Sequence, residues 1–506
     1  MACIAGVDLG TSSLKVIVMD EGGTVLAEAS AQYDYDSPVN GYGEQNVDVW
    51  WQACVTCFQS VVRQVDASTI AGIGFSGQMH GAVFLDEHCR QVRPAILHLD
   101  ARSGAQLQEM STRLAPETIL SVLMNPPYSG FLVPSLLWVK ENEPEQYRRI
   151  RHVMMPKDYL RYRLSGELYS DYSDASATLA FDIRRMVWAD DVLAALEIPR
   201  VFFPDCLATD AIAGRVTEQA ARETGLLEGT PMVAGGGDQV MQSIGNGVIL
   251  PGQATVNIGT SAQVSFQSSR AIENPALNTN TFCGYGRGRW YTMGATMSAG
   301  LSMSWLGKVL GMSFPQMEAQ ACTVPPGAGG LLYMPYLSGE RTPHLNPDIS
   351  GMFWGLSVNT DRSRLARAVM EGVAYSLREC MELCRSLGCD TDVYVASGGG
   401  AQSSLWLQIQ ADVYGVPLMV ANIRQHAGVG AAIAAGSGIG LYRDIAEGCR
   451  RVVRYQDQRY LPNEENHALY ERYYRLYRRA YQDGRQVLEE LTALGRSRDT
   501  TKHSRG

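Results

Sequence analysis

Long apolar runs are missing from this sequence. No 18-residue stretch is apolar enough to cross a membrane as a helix, and the N-terminus has no basic-then-apolar leader pattern. Positive charge is scarce: 43 Lys and Arg stand against 52 Asp and Glu, and the net charge is −9. There is no basic stripe, which argues against a nucleic-acid scaffold. The spacing Gly-x-x-x-x-Gly-Lys-Ser/Thr occurs nowhere, which excludes the P-loop class. The cysteines number 11, an odd count that does not suit a closed disulfide framework. Cys54-Val-Thr-Cys57 has metal-like spacing, but no second pair or His cluster completes a site, and the pair falls in a helical pattern. The expectation is a reduced, soluble, cytoplasmic protein without nucleic-acid or membrane partners.

What is present is enough apolar sequence, 45% of 506 residues, for two or three globular domains. Near the start, Val7 and Leu9 alternate around Asp8. Gly10-Thr11-Ser12 follows, and then Val16 and Val18 alternate again. This predicts a β-hairpin with a polar tip. Gly10 brings bare backbone N–H groups to the surface and Thr11 and Ser12 add hydroxyls, so the tip is either an ordinary turn or a phosphate cradle. Asp8 ends a buried strand, where a carboxylate needs a partner or a metal.

Half a chain later the device returns. Ile258-Gly259-Thr260-Ser261 lies between apolar strands, about 250 residues from Leu9-Gly10-Thr11-Ser12. The echo predicts two domains of one topology, residues 1–247 and 248–494, each with a phosphate tip, and a disordered tail over 495–506. Gly428 to Gly440, alternating Gly and Ala, predicts a tightly packed helix.

Gly235-Gly236-Gly237-Asp238 follows a short strand and opens a helix. Three glycines imply close approach of something to the backbone. Asp238 is then either a helix N-cap or a base that accepts a substrate hydroxyl proton. Gly398-Gly399-Gly400-Ala401 sits at another strand-to-helix junction and lacks dinucleotide-fold spacing; its flat backbone suits an adenine ring or a phosphate. Met79-His80, between Gly77 and Gly81, is either structural or faces a ligand. Glu340-Arg341 and His344 lie in a Pro- and Gly-bearing loop, where a solvated local ion pair is the plain reading.

Taken together, these motifs resemble the FGGY family of carbohydrate kinases. The resemblance rests on Asp8 to Ser12, Gly77 to Gly81, Arg93-Pro94-Ala95-Ile96-Leu97, Met155 to Leu160, Gly235 to Asp238 and Tyr336 to His344, and covers about residues 4 to 440. It is nearest to the branch that phosphorylates xylulose. It implies an α/β fold of two actin-like, ribonuclease-H-like domains with a catalytic cleft between them. The first domain would carry the sugar side and the second the nucleotide. It implies ATP as phosphoryl donor, Mg2+, and transfer to a terminal hydroxyl of a ketose, D-xylulose first, with ribulose or a tetritol as the alternative. By that resemblance Asp238 is the catalytic base and Asp8 sits by the metal and the γ-phosphate. Thr11, Ser12, Gly259 and Thr260 hold phosphates, Gly399 and Gly400 lie against adenosine, and Met79, His80, Asp238 and Gln239 line the sugar pocket. A homodimer is the assembly the family implies.

The sequence departs from that branch at several points. His98-Leu99-Asp100-Ala101-Arg102 replaces the usual Trp-Asn-Asp-Gly-Arg, Gln239 stands for the usual Asn, and Ser135 for Lys. Arg364 takes a place usually held by an acid or amide, and Gln402 one usually basic. A catalytically silent sensor on the same fold is the rival of another class. The presence of both Asp8 and Asp238 counts against it.

Overall fold

The computed structural model describes residues 2–503, with side chains through residue 495. The first sheet contains β1 (Cys3–Leu9), β2 (Ser13–Asp20), β3 (Val25–Gln32), β4 (Ile70–Gly77), β5 (Ile212–Arg215), β6 (Pro231–Val233) and β7 (Gly236–Gly237). The second contains β8 (Ala254–Ile258), β9 (Ala262–Ser268), β10 (Asn280–Cys283), β11 (Trp290–Thr296), β12 (Tyr394–Gly398) and β13 (Leu418–Val420). Ile4, Ala5, Val7 and Leu9 of β1 are all buried, as expected of a central strand covered on both faces. At the edge, β3 buries only Ala27.

Both sheets share one order. In the first, β3-β2-β1 run antiparallel, and β4 and then β6 continue parallel to β1. In the second, β11-β9-β8 run antiparallel, and β12 and then β13 continue parallel to β8. The duplicated tip is therefore part of a duplicated sheet, and the carboxyl ends of β1, β4, β8 and β12 carry the candidate site, as is usual for parallel strands.

Around the sheets run α1 (Val47–Val61), α2 (Pro156–Ser165), α3 (Tyr172–Ser176), α4 (Asp238–Gly245), α5 (Arg362–Ser386), α6 (Ser404–Tyr414), α7 (His426–Gly438) and α8 (Glu464–His503). Cys54 and Cys57 are buried on the inner face of α1, in keeping with a helix face rather than a metal pair. The Gly/Ala-rich segment is indeed a packed helix, α7, but it packs on the first sheet although it belongs to the second half of the chain. A Cβ on Gly6 would fall 1.9 Å from the Gly428 carbonyl oxygen, one on Gly74 1.9 Å from that of Ala431, and one on Gly430 1.9 Å from that of Met241. Small residues on β1, β4, α4 and α7 therefore let four elements touch backbone to backbone. The expected tail, 495–506, overlaps the end of α8 and otherwise lies outside the described residues.

Candidate active site

The two tips are braced through their carbonyls. At the first, the Tyr33 hydroxyl donates to the Gly10 carbonyl (2.7 Å), and Gln45 Nε2 to that of Thr11 (2.8 Å). The Thr11 hydroxyl is used on Gln78 Oε1 (3.0 Å), so Thr11 would meet a phosphate through its amide, beside the exposed Ser12. At the second, the carbonyls of Gly259 and Thr260 accept from the amides of Gly300 (2.9 Å), Ala299 (3.0 Å) and Leu301 (3.0 Å), and both tip residues are exposed. The tips are not identical. Leu9 pairs with Leu14 in the first, Ile258 with Ala262 in the second, so the second loop is one residue shorter.

Asp8 is half-buried at the end of β1, where Ser76 Oγ donates to its Oδ1 (2.8 Å). Burial raises its pKa, partly offset by Ser76 and Lys15. Asp238 is the first residue of α4, whose cap is Gly237. Burial pushes its carboxyl up to about 7, with the charge of Asp8 adding to the rise and hydrogen bonds from Gln239 opposing it. Structure therefore brings Asp8, Asp238 and Gln239 into one electrostatic unit. Two carboxylates with raised pKa values, within electrostatic reach of each other, make this end of the first sheet the candidate site.

Met79 is buried against the glycine turn: a Cβ on Gly237 would lie 2.7 Å from Met79 Cγ. The hydroxyl of Tyr291, from β11, reaches Met79 Sδ at 3.9 Å. His80 adopts φ 72°, rare for a residue with a side chain, and its Nδ1 lies 3.0 Å from the Ala177 carbonyl. Its ring lies 3.9 Å from that of Phe131 and 5.9 Å from Phe282. Burial lowers its pKa to about 3, so it is neutral over the working range. The Met79–His80 tip is thus held by both halves of the chain.

Gly399 and Gly400 follow β12 in a short 3-10 turn before α6. With Gly259, Gly300, Met303 and Trp406 they line a cavity of about 740 Å3. Gly399 is exposed, whereas Gly400 is buried and would place a Cβ 2.7 Å from the Ile258 side chain. A bare backbone wall beside a cavity of this size suits a planar base.

The Glu340–Arg341 expectation needs correction. Glu340 is 3% exposed and does not form a solvated pair with its neighbour; Oε1 accepts from the amides of Met297 (2.9 Å) and Arg341 (2.7 Å). His344 lies 3.2 Å from Glu379 and is stacked 3.7 Å from Tyr481, so this loop is anchored to α5 and α8. Arg341 instead points over the ring of Tyr128 (4.5 Å), and its charge adds to the burial that lowers the pKa values of His80 and His98. Tyr291, Phe282 and Phe131 went unrecognised in the sequence, and Arg341 reads there only as half of a solvated ion pair. Phe282 and Tyr291 lie on plain strands, and only their alternation around the second sheet hints at an inward face. Among the departures, Leu99 is 38% exposed, whereas Ser135 is buried and bonds only the Phe131 carbonyl (2.9 Å).

Among the described residues, Asp158, Asp171 and Asp174 form a cluster of carboxylates with metal-ligating spacing. It already contains a cation. Lys157 Nζ lies 2.6 Å from Asp158, 2.6 Å from Asp171 and 3.1 Å from Asp174. No helix among the described residues is long and apolar enough to cross a membrane.

Residues 3–245 match the model of the N-terminal domain of the FGGY family of carbohydrate kinases, and residues 254–439 that of its C-terminal domain. The chain is 34% identical over 496 residues to the xylulose kinase of Lactococcus lactis, covering 97% of this chain and 99% of that protein. It is 35% identical over 487 residues to the xylulose kinase of Bacillus subtilis, covering 95% and 97%. Among solved structures, a xylulose kinase from Brucella ovis superposes with a TM-score of 0.91 at 31% identity, over 96% of this chain and 100% of that one.

Proposed function

The chain belongs to the FGGY family of carbohydrate kinases, and from that premise we propose that it transfers the γ-phosphate of ATP to the terminal 5-hydroxyl of D-xylulose. The observation that carries the reading is Asp238: a carboxyl at the start of a helix, pushed up to about 7 by burial and by the charge of Asp8. A general base is most effective with a pKa near the working pH. In this reading Asp238 takes the proton of the sugar hydroxyl as that oxygen bonds to the γ-phosphorus and the bond to ADP breaks. The xylulose kinase relatives support the substrate.

Other roles follow the same reading. Thr11, Ser12, Gly259 and Thr260 hold the phosphates, Gly399 and Gly400 the adenine. Met79, His80 and Gln239 shape the sugar pocket, with Tyr291 and Phe282 as its far wall. Mg2+ would neutralise the charge of the phosphates. Asp8 fits such a cation, because burial makes its charge costly and Ser76 is its hydrogen-bond donor at 2.8 Å. A cytoplasmic homodimer completes the reading.

The test is ADP release by the purified protein against pentuloses, hexuloses, glycerol and tetritols, with the product examined by NMR. D-xylulose should give the highest kcat/KM and a 5-phosphate. Preference for another sugar, or ADP release that ignores sugar, would overturn the assignment.

A further inference from the structure

The segment 165–181 is rich in Ser, Asp and Ala, the composition of an exposed loop, yet Ser170, Asp171, Ser173 and Asp174 are each 3% exposed or less. Their charge is matched from α2. Burial alone would lower the pKa of Lys157, but Asp158, Asp171 and Asp174 hold it raised. Arg161 Nη1 donates to Asp158 Oδ1 (2.8 Å) and Ser170 Oγ to Asp158 Oδ2 (2.8 Å). A buried group of this kind is costly to build, and breaking one member leaves the others unpaired.

Its outlets lead to one place. Arg161 Nη1 also donates to the carbonyl of Ala234 (3.0 Å), the residue before the glycine turn. On the other side of the turn, the Gly237 amide donates to Ser173 Oγ (2.9 Å), and Ser173 Oγ in turn donates to Asp171 Oδ1. Asp171 Oδ2 faces the Lys157 ammonium at 2.6 Å. Because Asp171 takes the hydroxyl proton, Ser173 has only acceptor capacity left for Gly237, and the donors converge on Asp171, from Gly237 through Ser173 on one side and from Lys157 on the other. Gly77 has no side chain because Lys157 is there: a Cβ would lie 2.6 Å from Lys157 Cβ.

We propose that Lys157, Asp171 and Ser173 form a buried relay that positions the backbone of Gly237, and through it the carboxyl of Asp238, for proton abstraction. Ser173 is the positioning residue at its end. This rests on Asp238 being the base. Such a group acts on orientation, to which turnover is far more sensitive than substrate affinity.

The test compares Ser173→Ala with Ser170→Ala and with Asp238→Asn in the full-length protein. Ser170→Ala removes a buried hydroxyl from the same cluster but off the path to Gly237. Ser173→Ala should lower kcat by about 10- to 100-fold with KM for ATP unchanged, while Ser170→Ala stays within about threefold of the parent. The pair Ser173→Thr and Ser173→Val repeats the comparison at equal volume, should the alanine variant not fold; the threonine should keep turnover and the valine lose it. Wild-type kcat in Ser173→Ala and Ser173→Val, or an equal fall in Ser170→Ala, would overturn the relay. If Asp238→Asn also keeps its turnover, it is the base that is wrong; if Asp238→Asn is inactive while both hydroxyl-less variants work, only the relay is wrong.

Discussion

Asn257 Nδ2 donates to Gln242 Oε1 at 3.1 Å, and this bond ties the helix of Asp238 to the hairpin of Gly259. Gln242 lies one turn after Asp238, and Asn257 two residues before Gly259. Asn257 also explains the glycine at 398, since a Cβ there would lie 2.3 Å from Asn257 Oδ1. One amide thus adjoins the helix of Asp238, the second Gly-Thr-Ser tip and the glycine wall of the cavity. Replacing Gln242 and Asn257 by Ala, singly and together, should reveal a coupling of about 1 kcal/mol in kcat/KM for ATP. Strictly additive effects would show that the bond does not connect the two halves.

The pH dependence follows from Asp238. With its pKa pushed up to about 7, kcat should rise with pH through neutrality and level off above it. The stability sign is opposite. A carboxyl with a raised folded-state pKa keeps protons that the unfolded chain releases, so stability falls as pH rises from about 4 to about 7. Asp238→Asn should therefore be more stable than the parent at pH 8, by an amount on the order of 4 kcal/mol from ~1.4 kcal/mol per pKa unit, and the gain should vanish near pH 4. Thermal unfolding at the two pH values reads this directly; an equal gain at both would place the cause outside the titration.

His80 is neutral, because burial lowers its pKa to about 3. It should add no limb to the pH–rate profile above pH 5. His80→Ala removes the contact with Phe131 and the bond at Ala177, and should raise KM for the sugar about tenfold while leaving KM for ATP alone. A change confined to ATP would remove His80 from the sugar pocket.

Gln239 is the departure nearest the base. Gln239→Asn shortens the amide and should reorder preference among ketoses in the same sugar panel. An identical ranking would mean that this position does not set specificity.

Much of the site was legible because its residues carry conformational marks. Gly-Thr-Ser recurs half a chain apart, and three glycines announce Asp238. The rest depended on partners far apart in sequence. Gly6, Gly74 and Gly430 look unrelated until α7 lies across β1 and β4. Asp171 carries no mark of burial in the sequence, because its counter-ion, Lys157, sits on a separate helix. Glu340 looked paired with Arg341, while its partners are two backbone amides and the Ser376 hydroxyl, none of which composition marks.

The central claim is that Asp238 removes the sugar proton. The most direct measurement is turnover of Asp238→Asn with D-xylulose at pH 8, alongside ATP binding by calorimetry. A general base contributes about 10²- to 10⁴-fold, so kcat should fall by that range while the ATP affinity and the folded state persist. Turnover within tenfold of the parent, with ATP still bound, would contradict the account.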